Sequence, residues 1–370
     1  MGNSRKLTEI QQHALVKTFD MSVGHAKYTL PDYQKGVIEN LPFIFNESIK
    51  TPHKEIEKTF CEAYFGLAGQ PSYRELKPTI FHYSTSISLE VLANVFRIKN
   101  MRVGLNTPTF DNLADILKRH INSNIIAVSE NSLADPENIP WNQIDSLFIT
   151  IPNNPTGFYL DETQFRNLVK KCKKENKLLA IDFCFRLTEE DYQRFDQYKI
   201  LIEEQVDFIT YEDTGKIWSI ADLKVGFMLS SDSYYQIIKD ISDDVLLNVS
   251  PFILNLLINI IRLEDPENIY INQLCNINRA YFRDNLGKLN FTVVNQNSKS
   301  TVEWVLHNRN IPATELVDKL ETFGLFLSPG AQFYWNNFNE GEKYLRIALA
   351  RDPNKFKQSV DELIHALSQN

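Results

Sequence analysis

The chain has 370 residues, with 43% hydrophobic and 23% charged content, enough apolar surface for a large core and two domains. Its net charge is −8 and no Lys/Arg run stands out, which argues against a nucleic-acid groove and leaves only small anion sites. Cys61, Cys172, Cys184 and Cys275 are scattered without a CxxC pair, so reduced cytoplasmic thiols are expected rather than a disulfide framework or a zinc site.

The N-terminal stretch "MGNSRKLTEIQQHALVK" has no apolar core of the kind a signal peptide needs. It begins Met-Gly, but Lys6 stands where a myristoylation signal wants Ser or Thr. The first 40 residues read as an arm that packs elsewhere on the protein. From about residue 80 to 230, short apolar runs alternate with amphipathic helical stretches. Residues 88–98 read as helix, 101–106 as strand, 110–120 as helix, and 124–129 and 146–151 as strands. Residues 161–176 read as a helix whose first turn is acidic and whose end is basic, as the helix dipole prefers. Strands follow at 178–183 and 206–212. This alternation predicts an α/β fold with a mostly parallel sheet covered by helices. The most apolar run, "VLLNVSPFILNLLINII" at 245–261, is interrupted by Asn248, Ser250, Pro251 and Asn255, which favours a buried core or dimer helix over a membrane span. After about 270 the shorter strands mixed with helices suggest a smaller α+β domain. The expected division is an arm over 1–40, a large domain over 41–270 and a small C-terminal domain over 271–370.

In such sheets, ligands sit outside the carboxyl ends of the strands. The residues there form an ordered series. Ser84, Thr85 and Ser86 precede a helix, where hydroxyls and free backbone N–H groups make an anion site; an ordinary N-cap explains them as well. Phe110 follows the next strand and suits stacking on a flat ring, or plain core packing. "IPNNPTGFYL" at 151–160 is a rigid turn that presents Asn154. Asp182 ends an apolar run, where an unpaired acid is costly to bury and a protonated pyridine nitrogen is a natural partner. Lys216 sits on a Thr-Gly turn after "DFITYED", placed as a surface loop residue or as an imine-forming lysine. Lys224, eight residues on, adds positive charge, and Arg346 in "YLRIALAR" suits a carboxylate.

A phosphate cup, a stacking ring, an amide, an acid, a lysine and a carboxylate clamp in this chain order resemble the fold-type I pyridoxal-phosphate enzymes of the class I/II aminotransferase family. The resemblance runs from about residue 40 to the C-terminus. It implies a seven-stranded, mostly parallel sheet in the large domain and a homodimer. It also implies that Lys216 carries the cofactor pyridoxal 5′-phosphate as a Schiff base. Asp182 would hold the pyridine nitrogen protonated, Asn154 would contact the phenolic oxygen, Phe110 would stack on the ring and Cys184 would border it. Ser84, Thr85, Ser86 and Lys224 would hold phosphate, and Arg346 the substrate carboxylate. Three positions depart from the common pattern: Phe185 in place of tyrosine, Lys224 in place of arginine, and Asp213 in place of the Ser or Thr that helps bind phosphate.

These departures are shared by a narrower group. "GHAKYTL" (24–30), "AYFGLAGQ" (63–70), "YSTSISLEVLA" (83–93), "EDTGKIW" (212–218), "DLKVG" (222–226) and "RIALAR" (346–351) resemble the pyridoxal-phosphate- and dioxygen-dependent L-arginine oxidases. That group comprises the desaturases and hydroxylases of antibiotic pathways such as those to indolmycin and enduracididine. The resemblance implies that the N-terminal segment closes over arginine, that His25 takes part in catalysis, and that Thr8 and Gln11 line the site. Hydroxylases have Glu where this chain has Gln11, so desaturation is favoured. The implied reaction takes L-arginine and dioxygen to 4,5-dehydro-2-ketoarginine, ammonia and hydrogen peroxide, without metal or flavin. A downstream imine reductase is a candidate partner. An L-arginine 4-hydroxylase/deaminase, a conventional aminotransferase and a non-catalytic pyridoxal-phosphate-binding regulator are the alternatives. Asp213 is expected to meet the guanidinium of arginine through charge-assisted bonds; an Asp that caps the turn before Lys216 is the plainer reading.

Overall fold

The computed structural model describes residues 5–15, 17, 19–122, 124–188, 194–220 and 222–369. The Met-Gly start weighed above for lipidation lies outside the described residues. The described chain opens with a helix, Leu7–Ala14, and a two-residue strand β1, Phe19–Asp20. Seven strands then build the main sheet: β2 (Ile80–His82), β3 (Val103–Thr107), β4 (Ile125–Ser129), β5 (Ser146–Thr150), β6 (Leu178–Asp182), β7 (Phe208–Asp213) and β8 (Gly226–Ser230). Their order is β2-β8-β7-β6-β5-β3-β4. The pairs β4-β3, β3-β5, β5-β6 and β6-β7 are parallel, and β8 alone runs against its neighbours. Every residue of β5, β6 and β7 is buried, because helices cover both faces of a parallel sheet and no strand face meets water. That is why these strands read as continuous apolar runs.

The covering helices follow their sequence signals. Glu162–Lys174 starts with a capping box: Gln164 N–H donates to the Asp161 carboxylate at 2.8 Å, and Asp161 N–H to the Gln164 side chain at 3.1 Å. Its buried face is Phe165, Leu168, Val169 and Cys172. In the apolar run 245–261, Val245 and Leu247 are exposed, and the helix proper is Pro251–Ile261, with proline at its first position. It buries Leu254, Leu256, Leu257, Ile258, Ile260 and Ile261 against the Leu41–Lys50 and His53–Leu67 helices. Each such side chain contributes roughly 1.5–3 kcal/mol when fully buried, so Leu257→Ala is expected to cost about 2–5 kcal/mol. Among the described residues no helix is long and apolar enough to cross a membrane.

The C-terminal third adds β9 (Phe291–Val293), β10 (Val302–His307), β11 (Leu325–Phe326), β12 (Ser328–Pro329) and β13 (Tyr344–Ala348). β12, β13, β10 and β9 form an antiparallel sheet, while β11 pairs with β1, which ties the N-terminal arm to this part of the chain.

Candidate active site

The register of the main sheet lines up a row of side chains at the carboxyl ends of its strands. Thr150 pairs with Asp182, Asp182 with Tyr211, and Asp213 with Gly226. Over this row lies a cavity of about 240 Å³, and every candidate site residue read from the sequence borders it.

One wall is the N-terminus of the Thr85–Ile98 helix. Ser84 is its N-cap, its hydroxyl accepting from Ile87 N–H at 3.4 Å. The first turn of a helix has N–H groups without intrahelical partners, a ready anion site. Gly226 lets β8 pass directly beneath it, since a Cβ there would lie 2.6 Å from the Ser84 carbonyl carbon and 2.7 Å from the Thr85 nitrogen. Lys224 reaches the same wall with its stem over Gly215, where a Cβ would meet Lys224 Cδ at 2.8 Å. Burial pushes the Lys224 ammonium below its usual range, with Lys216 adding to the effect and Asp213 opposing it.

The Thr85 hydroxyl, on the wall of the cavity, donates to Asp213 Oδ2 at 2.8 Å. Asp213 Oδ1 accepts the Gly215 N–H. Both Asp213 oxygens therefore brace the turn before Lys216 against the helix N-terminus, as a turn cap does, and the carboxylate also borders the cavity, with acceptor capacity left on each oxygen. The turn is further held by Thr214, whose hydroxyl accepts from Val225 N–H at 2.9 Å. Among the described residues none hydrogen-bonds or ion-pairs with the Lys216 ammonium, which faces the cavity.

Asp182 forms the floor. Its carboxylate accepts the Cys184 N–H at 2.9 Å and the Tyr211 hydroxyl at 3.0 Å. Burial raises its pKa, opposed by bonds from Cys184 and Tyr211 and by the Lys216 charge. Burial likewise pushes the Cys184 thiol well up, so it lines the cavity as a neutral group. Phe110 caps the Asp111–Ile121 helix and meets Phe333 edge-on, ring centres 6.2 Å apart.

The opposite wall belongs to Arg346, which is fully buried. Its guanidinium donates to the Asn154 carboxamide oxygen at 3.1 Å, to the Ser328 hydroxyl at 3.1 Å and to the Ser22 carbonyl, while its Nε has no partner among the described residues. Burial, and then Arg351, push its pKa down to about 9. Asn154 is thus oriented by Arg346, which leaves its NH₂ group as the donor toward the cavity. Asn154 is carried by a turn anchored on Glu130, which accepts from Asn153 and the Thr156 hydroxyl, both at 2.7 Å.

The arm closes the top. Leu7 N–H donates to the Asp111 carboxylate at 2.9 Å, and Lys6 and Arg5 pair with Asp115, Asp318 and Glu321. Lys6 holds the N-cap position, so Thr8 is not the helix cap; it sits one residue inside and borders the cavity with Gln11, whose amide donates to the Ser22 carbonyl at 3.3 Å. His25 lies beside Asp222, Nδ1 to Oδ1 3.3 Å. The Lys216 charge, burial and then Lys224, Arg351 and Lys27 hold its pKa far below the ordinary range, so the ring is neutral. Asp222 occupies the left-handed region at φ 59°, where aspartate is tolerated better than most residues.

Sequence reasoning missed Tyr211, Ser22, Asp222 and Arg351. Tyr211 had a legible signal: it stands two residues before Asp213 in a strand, hence on the same face. The others act through contacts that only the folded chain supplies.

The donor set fits pyridoxal 5′-phosphate. A buried carboxylate held by two neutral donors lacks a cation, which a protonated ring nitrogen provides. The helix N-terminus, kept open by Gly226, suits the phosphate. The unpaired lysine faces the same cavity.

Comparisons with known proteins agree. The family model "Aminotransferase class I and II" matches residues 46–366. Among solved structures the chain is similar to MppP, in a structure soaked with the product 2-ketoarginine, at 32% identity and TM-score 0.87, covering 93% of this chain and 98% of that one. It shares its fold with LysN, an alpha-aminoadipate aminotransferase from Thermus thermophilus complexed with N-(5'-phosphopyridoxyl)-L-leucine, at 15% identity and TM-score 0.75, covering 97% of this chain and 94% of that one. Among curated proteins it is 24% identical over 229 residues to the LL-diaminopimelate aminotransferase of Maridesulfovibrio salexigens, a match over 60% of this chain and 57% of that protein. It is 26% identical over 197 residues to a histidinol-phosphate aminotransferase of Legionella pneumophila, over 50% of this chain and 49% of that protein. The chain thus spans about half the length of the curated relatives it matches.

Proposed function

The chain belongs to the class I and II aminotransferase family, with pyridoxal 5′-phosphate as its cofactor, and within it we propose an oxidase that converts L-arginine to 4,5-dehydro-2-ketoarginine at the expense of dioxygen. The observation that carries the reading is the near full-length similarity to MppP, whose structure was soaked with 2-ketoarginine. The bound cofactor supplies an electron sink for the substrate α-carbon.

The chain's own residues do the rest. Arg346 binds the α-carboxylate through its guanidinium, which borders the cavity and is not paired with a carboxylate among the described residues. Lys216 would hold the cofactor through its amine, and that amine, when free, would be the base for the substrate α-proton. Asp182 stays buried as the partner of the ring nitrogen, with Tyr211 and Cys184 N–H fixing its orientation. Ser84, Ser86, Lys224 and the backbone N–H groups of the helix start would hold the phosphate, Asn154 would donate to the phenolic oxygen and Phe110 would cover the ring. His25 borders the cavity and is assigned the proton transfer at the substrate side chain. The Leu7–Ala14 helix excludes water, with Thr8 and Gln11 turned to the substrate. Gln11 carries no charge with which to take a proton from water, which favours desaturation over hydroxylation. The net change is balanced by two dioxygen molecules reduced to two peroxides, with one water consumed and one ammonia released.

The curated relatives favour a second reading, a conventional aminotransferase. The test is purified holoenzyme with L-arginine in air and no keto acid, following oxygen uptake, peroxide, ammonia and product mass. Turnover only when a 2-keto acid is added, and equally well without oxygen, would replace the oxidase by the aminotransferase. The proposal includes a cytoplasmic homodimer, supported by the exposed apolar side chains Phe43, Phe45, Ile49 and Leu247; a monomer in sedimentation would count against it.

A further inference from the structure

Arg351 stands five residues beyond Arg346, outside the cavity lining, and only 7% of it is exposed. Every guanidinium N–H is taken. Nε donates to the Asp20 carbonyl at 2.9 Å. One terminal nitrogen donates to the His25 and Ala350 carbonyls, at 3.0 and 2.9 Å. The other donates to the Val23 carbonyl at 2.6 Å and the Asp20 carboxylate at 3.3 Å. These are the five donors an arginine possesses.

Asp20, also buried, works from the other side of the same backbone. Its Oδ1 accepts the N–H groups of Ser22 and Val23, at 2.9 and 3.1 Å, and the Ser22 hydroxyl at 2.9 Å; its Oδ2 also holds Lys27 at 2.8 Å. The two side chains divide the irregular backbone of residues 20–25 between them. The acid takes N–H groups and the arginine takes carbonyls. A buried ion pair of this kind is weak evidence for stability, since apolar residues of similar volume often do as well. What apolar residues cannot do is fix the direction of these carbonyls and N–H groups.

That turn is where the arm meets the site. The Ser22 carbonyl accepts from Arg346, Gln11 and the Ser328 hydroxyl. Gly24 backs onto Arg346, where a Cβ would lie 3.7 Å from a terminal nitrogen. His25, next along, has its carbonyl on Arg351 and its ring beside Asp222.

We propose that Asp20 and Arg351 form a clasp that shapes the 20–25 turn, and that they are positioning residues through which His25 is set for the reaction. The inference rests on the reading of His25 given above. The test uses holoenzyme carrying Arg351→Met or Arg351→Lys. Hydrogen–deuterium exchange reads the clasp without catalysis: peptides covering 20–27 are expected to exchange about tenfold faster in Arg351→Met, with the cofactor cradle unchanged. Turnover with arginine is expected to fall about 100-fold, as for a misplaced catalytic group, while cofactor affinity and visible absorbance stay at the wild-type level. Arg351→Lys does not rescue, because three donors on one ammonium cannot reach four carbonyls. Arg351→Met combined with His25→Ala is expected to be no slower than His25→Ala alone. Unchanged exchange, rescue by lysine, or losses that add in the double variant would each overturn the clasp's role. If Arg351→Met does not fold, Asp20→Asn takes the same readouts. A fully active His25→Ala enzyme would remove His25 from the mechanism and with it the catalytic half of the proposal, while the exchange result still decides whether the clasp holds the turn.

Discussion

Gly226→Ala isolates the cofactor cradle from everything else in the site. The added methyl would lie 2.6 Å from the Ser84 carbonyl carbon, 2.7 Å from the Thr85 nitrogen and 2.9 Å from the Ser84 oxygen. All three are backbone atoms at the start of a helix, so no side-chain rotation relieves the overlap. Carbon contacts are comfortable near about 3.5–4.0 Å, so the helix start or β8 must move by roughly 1 Å. Overpacking of this kind costs about 1–3 kcal/mol. If the displacement falls on the cradle, cofactor affinity drops by roughly 10- to 100-fold, since each factor of ten is about 1.4 kcal/mol. Titrating the apoenzyme with pyridoxal 5′-phosphate, read by visible absorbance, measures the loss, and a thermal melt shows how much is general destabilisation. Gly66→Ala is the control. It lies on the exposed side of the His53–Leu67 helix with no atom within 4 Å of the new methyl. Alanine is expected to stabilise that helix by about 0.5–1 kcal/mol and leave cofactor binding alone. Wild-type cofactor affinity in Gly226→Ala would refute the argument that this glycine keeps the cradle open.

Lys216→Ala is expected to lose the visible band of the lysine-bound cofactor and all measurable turnover; an active variant with that band intact would sink the assignment of the lysine. Asp213→Asn keeps an oxygen for the Gly215 N–H and turns an NH₂ group to Thr85, whose hydroxyl must then accept, so both braces lose their charge assistance. A charge-assisted bond is worth roughly 1.5–3 kcal/mol, so cofactor affinity should fall at least tenfold with little change in the KM for arginine, and the reverse pattern would return Asp213 to the guanidinium. Glu130 is half-buried with neutral hydrogen-bond partners, Asn153 and Thr156, and the loss of water around its carboxyl raises it from 4.5 to about 7. The folded state therefore keeps a proton that the unfolded chain releases. Stability is greatest below pH 4.5 on this account, falls as pH rises, and levels off above about 7, a loss on the order of 3 kcal/mol. Glu130→Gln keeps an acceptor for Asn153 and Thr156 and should flatten this slope and raise the melting temperature at pH 8; a variant with the wild-type pH slope would show that Glu130 is not its source.

The fold was legible where burial leaves a simple trace. β5, β6 and β7 are buried along their whole length, so apolar runs marked them, and the capping box at Asp161 marked the helix between β5 and β6. β2 and β8 were not read as strands. β2 is three residues long, and β8 opens on Gly226, a residue that reads as a loop until its packing against Ser84 is known. The antiparallel turn of β8 carries Lys216 and Lys224 between its ends, so the element hardest to read is also the one that presents both lysines to the cavity.

Asp213 shows what the folded chain adds to a reading of spacing. An acid beside a phosphate site calls for a compensating cation, and with arginine as the expected substrate its guanidinium was the economical choice. The folded chain offers other compensation. Two donors, the Thr85 hydroxyl and the Gly215 N–H, occupy the carboxylate, and Lys224 provides the nearby positive charge. Only the Gly215 N–H, two residues on, is visible from spacing; Thr85 is 128 residues away and Lys224 approaches across the β7–β8 turn. Arg346 and Arg351 present the same lesson from the opposite sign. Five residues apart, Arg346 within β13 and Arg351 beyond its end, both are buried, yet one borders the cavity and keeps an unpaired Nε and the other has every donor taken by backbone and Asp20. Residue type marks a guanidinium as a carboxylate binder; its remaining hydrogen-bond capacity decides whether it can bind one. On that criterion Arg346 is left for the substrate and Arg351 for the turn that holds His25.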